Sequence, residues 1–206
     1  MKIPIIESQS ASQQKLFQEQ ALTKHLAYLQ AHSTFYQKLF KKHHIDIQKI
    51  TSLEALSTIP VTEKEDLQNF NSDFICVKRD EIIDYVTTSG TLGEPVTFCL
   101  TENDLQRLAY NESISLACAD GDKSEVYQIM TTLDRRFMAG LAYFSGARKL
   151  GAGIVRVGSG IPELQWDTIA RIAPTAIITV PSFILKLLDY ADAHQIDYKN
   201  CSIKKA

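Results

Sequence analysis

The chain has 206 residues, 45% of them apolar and 22% charged, with a formal net charge of -2. That composition is typical of a globular protein, and the near-balanced charge argues against a nucleic-acid binder, which would show a basic face. No apolar run approaches the ~20 residues that cross a bilayer, and MKIPIIESQS lacks a secretory signal's apolar length and cleavage pattern, so the expected location is cytoplasmic.

Residues 1–80 read as a helical, strand-poor segment. From Gln13 to Gln30, Phe17, Ala21, Leu22, Leu26 and Leu29 recur at helical spacing. A second helix, Thr34 to Lys42, would bury Phe35, Leu39 and Phe40, and its end carries the densest basic run, Lys41-Lys42-His43-His44, as a solvated terminus. Ser52 is placed to cap a turn over Leu53–Leu56. Pro60 then breaks the chain, and Thr62 with Glu65 is expected to form a capping box for a helix over Glu63–Phe70.

From about residue 81 to 206 the pattern becomes strand alternating with helix. Ile82–Val86 and Val96–Leu100 read as strands, and Thr101 is placed to cap a helix running to about Ala119. Val126–Met130 is β-rich, and Phe137–Leu150 reads as a helix closed by Gly151. Ile154–Val157 is the next strand, Pro162 opens a helix, Ala176–Val180 is a buried strand, and Pro181-Ser182 opens the last helix. The fold class is therefore α/β: a helical N-terminal segment, then a largely parallel sheet flanked by helices. In such sheets ligands sit beyond the carboxyl ends of strands, which makes Thr131–Phe137 and Val180–Phe183 candidate pocket walls.

Between the first two strands lies Thr87-Thr88-Ser89-Gly90-Thr91-Leu92-Gly93-Glu94-Pro95, with four hydroxyl residues and two glycines. Gly90 and Gly93 allow backbone conformations that bring successive N–H groups close to an anion, and the hydroxyls add donors. No lysine follows in the Walker pattern. The composition also suits a Ser/Thr-rich hairpin turn, and the loop's residues alone leave both readings open. Cys76, Cys99, Cys118 and Cys201 form no C-x-x-C pair and the five histidines form no H-x-x-x-H pair, so neither a disulfide framework nor a metal site is expected.

Five stretches together resemble the N-terminal part of the phenylacetate–coenzyme A ligase family, within the adenylate-forming acyl-CoA synthetases. Thr88-Ser-Gly-Thr-Leu-Gly-Glu-Pro95 resembles the T-S-G-T-T-G-x-P signature. Ser33-Thr-Phe-Tyr36 is similar to its N-V-P-F-Y helix start, and Ile59-Pro-Val-Thr-Glu-Lys-Glu-Asp-Leu67 to L-P-F-T-T-K-x-D-L. Ala139-Gly-Leu141 through Gly146-Ala-Arg-Lys-Leu-Gly-Ala152 resembles G-G-L…G-A-x-x-L-G-A, and Ile178-Thr-Val-Pro-Ser182 resembles V-T-P-S.

The resemblance implies a two-step reaction with ATP, Mg²⁺ and coenzyme A, and a small carboxylic acid as substrate. Thr88, Ser89, Gly90, Thr91 and Gly93 would then be the phosphate-loop residues, and Arg135, Phe137, Gly140, Pro181 and Ser182 the substrate-binding candidates. Three departures bear on this. Leu92 stands where the signature has a second threonine, and Glu94 where the family often has lysine. Leu133-Asp-Arg-Arg-Phe137 replaces a glycine-rich, uncharged stretch. Arg135 and Arg136 either bind an acidic substrate or a coenzyme A phosphate, or form a solvated pair at a helix start.

The family carries its adenine and ribose motifs, and a mobile C-terminal domain with an essential lysine, beyond where this chain ends. The expectation is thus a truncated portion with no catalytic residue of its own, unable to complete adenylation alone. Two alternatives remain open at this point: an adenylating acyltransferase with a protein or amine acceptor, and a non-catalytic interaction module derived from the ligase fold. An exposed apolar seam would favour association into a homo-oligomer.

Overall fold

The computed structural model describes residues 4–88 and 95–206. By its packing the chain divides after Thr101 into two units, each with its own contacts. The texture of the sequence changes near residue 80, whereas the packing division falls some twenty residues later, after a hairpin that belongs with the first unit.

In the first unit α1 spans Ala11–His32 and α2 spans Thr34–Lys42. Ser10 starts α1 through a capping box: its hydroxyl accepts the Gln13 N–H at 3.4 Å while the Gln13 carboxamide oxygen accepts the Ser10 N–H at 3.1 Å. Ser33 is fully buried and caps α2, accepting the Tyr36 N–H at 3.3 Å and donating to the Asp73 carbonyl at 3.1 Å. Leu26, Phe40, Ile47 and Ile50 form the core between these helices and the turn that follows. Phe35 stacks on Phe74 with ring centroids 4.0 Å apart.

Two local expectations shift. Ser52 accepts the Ala55 N–H at 3.2 Å, but the turn it starts is a short 3-10 segment over Ala55–Thr58. Helix α3 covers Lys64–Asn69, with the Asp66 carboxylate accepting the Glu63 N–H at 2.9 Å, so the cap lies one residue beyond Thr62. The reason is competition: the Thr62 hydroxyl is hydrogen-bonded to the Tyr36 hydroxyl, at 3.0 Å, and Asp66 replaces Glu65 as the reciprocal acceptor.

Strands β1 (Asp84–Thr87) and β2 (Thr97–Leu100) pair antiparallel, with Thr87 opposite Thr97. Val86 and Val96 are 4% and 2% exposed and anchor the hairpin. Asn71 donates to the Thr97 carbonyl at 3.0 Å, which ties it to the helical part of the unit.

The second unit begins with α4 (Glu102–Cys118) and continues β3 (Val126–Ile129), α5 (Met138–Leu150), β4 (Gly153–Arg156), α6 (Pro162–Ile172), β5 (Ala176–Ile178) and α7 (Pro181–Ala193). The strands form a parallel sheet in the order β4-β3-β5. Proline takes the first position of α6 and of α7, where its missing N–H is no loss. Gly151 closes α5 in the left-handed region, φ 85°.

Alternation along β3 sends side chains to opposite faces. Tyr127 packs with Ala147 and Ala176 on the α4–α5 side. Met130 packs with Trp166, Ile169, Leu187 and Ala191 on the α6–α7 side. Helices α4 and α5 touch closely at Gly146, where an added Cβ would lie 2.4 Å from Glu112 Cβ and 2.9 Å from the Glu112 carbonyl carbon. The far edge of the sheet is extended at Lys205, which bridges Ala176 in parallel. Its ammonium meets Glu125 at 2.5 Å, and Glu125 also accepts from the Thr175 hydroxyl. Among the described residues no helix is long and apolar enough to cross a membrane.

Candidate ligand-binding site

The first candidate region is the end of the hairpin. Thr88 donates its N–H to the Val96 carbonyl at 3.0 Å, and its hydroxyl accepts the Val96 N–H at 3.0 Å. Both backbone groups of Val96 are thereby satisfied, and a hydroxyl that accepts in this way also carries a proton of its own. Ser89, Gly90, Thr91 and Gly93, the rest of the expected phosphate-loop set, lie outside the described residues, as do Leu92 and Glu94.

The second region is in the other unit, at the carboxyl ends of β3 and β4. There a cleft of about 460 Å³ is lined by Thr132, Leu133, Asp134, Arg135, Arg156, Val157, Gly158 and Ser159. Register explains the meeting: β3 pairs with β4 so that Ile129 faces Arg156, and both chains leave the sheet at the same level. The Thr132 and Ser159 hydroxyls are 3.0 Å apart. Arg156 sets its guanidinium over the Phe144 ring, 5.4 Å from the centroid.

Of the substrate-binding candidates, Arg135 lines this cleft, whereas Phe137, Gly140, Pro181 and Ser182 do not. Phe137 is the residue before α5 and is 45% exposed. Gly140 is buried, and its role here is close approach: a Cβ would lie 2.0 Å from the Thr132 carbonyl oxygen, so only glycine lets α5 press against the loop after β3. Pro181 and Ser182 open α7 and are exposed. Arg135 and Arg136 are two successive residues in the left-handed region, φ 57° and 60°. Such backbone is costly for side-chain-bearing residues and collects at binding sites.

A buried polar device holds the other wall. Gln128 and Gln165 are 0% and 1% exposed. The Gln128 amide donates to the Gln165 side-chain oxygen at 2.8 Å and to its backbone carbonyl at 3.2 Å. Gln165 in turn donates to the Gly158 and Gly160 carbonyls at 2.9 and 3.0 Å, which pins the loop between β4 and α6. Three buried oxygens have no hydrogen-bond partner among the described residues: Gln128 Oε1, Thr131 Oγ1 and Thr179 Oγ1. Thr131 and Thr179 each follow the carboxyl end of a parallel strand, next to the hydrogen bond from Met130 N–H to the Ile178 carbonyl at 2.9 Å. Arg156, Ser159, Gln128 and Gln165 were not singled out by the sequence reading. The Gly158-Ser159-Gly160 run between strand and helix is a turn signal that could have marked Ser159; nothing comparable marks the other three.

The fold has solved counterparts. The chain shares the fold of part of an acyl-CoA ligase: it superposes on 2-hydroxyisobutyryl-CoA ligase in its thioesterification state with a TM-score of 0.86, at 22% identity, over 96% of this chain and 44% of that one. The open conformation of the same enzyme gives a TM-score of 0.84 at 21% identity, over 94% of this chain and 46% of that one. No family model matches the chain.

Curated proteins narrow the class. The phenylacetate–coenzyme A ligase of Thermus thermophilus is 30% identical over 187 residues, 90% of this chain and 42% of that protein. The enzyme of the same name from Escherichia coli is 27% identical over 206 residues, 98% of this chain and 47% of that protein. The chain is thus related to the phenylacetate–coenzyme A ligases along nearly its whole length, as its motifs indicate, and it spans less than half the length of the relatives it matches.

Proposed function

We propose that the chain is part of an ATP-dependent acid–thiol ligase that converts an aryl or other organic acid to its coenzyme A thioester through an acyl adenylate. The observation that carries this reading is the 30% identity to the Thermus thermophilus ligase across 90% of the chain. The hydroxyl-and-glycine segment Thr88–Pro95 supports it. The solved neighbour was captured with 2-HIB-AMP and CoA, which makes an acyl adenylate and CoA the first small molecules to consider.

When bound, ATP supplies the activated anhydride and coenzyme A the acceptor thiol. The residues' part is to grip and orient. Thr88 would join that grip through its hydroxyl, whose oxygen accepts the Val96 N–H and is thereby oriented. Ser89, Gly90, Thr91 and Gly93 would complete that grip while charge builds on the leaving pyrophosphate. Mg²⁺ would accompany the triphosphate, held largely by phosphate oxygens. Arg135, Phe137, Gly140, Pro181 and Ser182 are assigned to the acid side, with Gly140 shaping the wall rather than touching substrate.

The test is a titration of the chain with inorganic triphosphate, comparing wild type with a Ser89→Ala/Thr91→Ala variant. Loss of two hydroxyl donors should weaken binding about tenfold. Equal binding by both proteins would remove the phosphate-loop assignment. Pyrophosphate release with a panel of aryl acids should stay at background for this chain alone, and turnover would contradict its reading as an inactive portion.

A further inference from the structure

Arg135 and Arg156 come from different strands' ends and line one cleft. Neither forms an ion pair among the described residues. The face-on contact with Phe144 steadies Arg156 and leaves its in-plane N–H donors available. Asp134 also lines the cleft, so its charge is two guanidinium groups against one carboxylate. In the Thr132–Ser159 pair one hydroxyl proton is used between the two oxygens and the other is left to donate. Ser159 is held in place because Gln165 bonds the carbonyls on either side of it.

We propose that this cleft binds an oxyanion group, a carboxylate or a phosphate, with Arg135 and Arg156 as the charged donors and the Thr132–Ser159 pair as the neutral one. Two planar guanidinium forks and a hydroxyl match the several lone pairs that such a group presents. The cleft's volume, about 460 Å³, suits a small molecule. Two sources supply this chemistry: the second carboxylate of a dicarboxylic acid, or a phosphate of a nucleotide-like co-substrate. Naming these two sources rests on the ligase reading above, whereas the oxyanion site itself rests on the cleft's residues alone.

The experiment is calorimetric titration of the chain at low ionic strength with phthalate, benzoate and inorganic phosphate, repeated with Arg135→Gln and Arg156→Gln. Both arginines are exposed, and the fluorescence of Trp166 checks that each variant keeps its fold. Phthalate or phosphate should bind about tenfold more tightly than benzoate, and each substitution should weaken that binding by about tenfold. Phosphate binding that both substitutions abolish, with no response to either acid, supports the oxyanion site and assigns it to a phosphate. Benzoate binding equal to phthalate, unmoved by either substitution, overturns the oxyanion site and leaves the ligase reading standing. The proposal is also overturned if neither phthalate nor phosphate binds at about 10 mM.

Discussion

Replacing Gln165 by leucine tests whether the buried amide pair holds the cleft's wall. The change keeps an apolar side chain of similar size and removes three hydrogen bonds: one from Gln128 at 2.8 Å and two to the Gly158 and Gly160 carbonyls at 2.9 and 3.0 Å. At about 1 kcal/mol net per bond, the loss is about 3 kcal/mol. The Gln128 amide retains the Gln165 backbone carbonyl at 3.2 Å, which limits the further desolvation penalty. Urea unfolding followed by tryptophan fluorescence is the assay, since Trp166, the chain's one tryptophan, is the next residue and lies in the same unit's core. The midpoint should fall with the slope unchanged. Replacing Gln128 and Gln165 together should cost less than the sum of the single changes, because both partners of the buried bond then leave at once. A shift below about 0.5 kcal/mol for Gln165→Leu, or strict additivity in the double variant, would refute the reasoning.

Gly140→Ala forces the loop after β3 away from α5, because the new methyl would stand 2.0 Å from the Thr132 carbonyl oxygen. The expected loss is about 1–3 kcal/mol, read as a lower midpoint in thermal unfolding. The Glu125–Lys205 pair predicts a pH dependence. The Lys205 ammonium, followed by the Thr175 hydroxyl, holds the Glu125 carboxyl below its ordinary value of 4.5. Its stabilisation is therefore present above the ordinary carboxylate range and is lost as pH falls through the lowered value. The hydrogen bond to Glu125 raises Lys205 above its ordinary 10.5, so that end of the pair contributes fully below 10.5 and fades as pH rises through the raised value. Glu125→Gln should unfold more easily than wild type at neutral pH, and the two denaturation curves should converge in acid. A gap that persists at pH ~2 would place the effect elsewhere.

Much of the fold was legible because punctuation residues act locally. Pro162, Pro181 and Gly151 each mark a helix terminus through backbone geometry that no distant contact can change. The cap of α3 was misplaced by one residue because a tertiary bond, Tyr36 to Thr62, takes the hydroxyl that local spacing favours. Of the cleft, Arg135 was legible because Leu133-Asp-Arg-Arg-Phe137 stands where the resembled family has a glycine-rich, uncharged stretch. Arg156 was not, because an arginine ending a strand reads as an ordinary exposed residue until the pairing with β3 is known. Gln128 was hidden for a related reason. In a strand covered on both faces polar residues also point inward, so alternation no longer separates inside from outside.

The near-contact of α4 and α5 at Gly146 sets how the cleft can respond to a guest. Two rods touching along their backbones cannot slide without first separating. The same second rod carries Gly140, which seats the segment bearing Arg135. An oxyanion bound between Arg135 and Arg156, as proposed, would therefore lie beside a segment seated by a glycine on a closely packed helix pair.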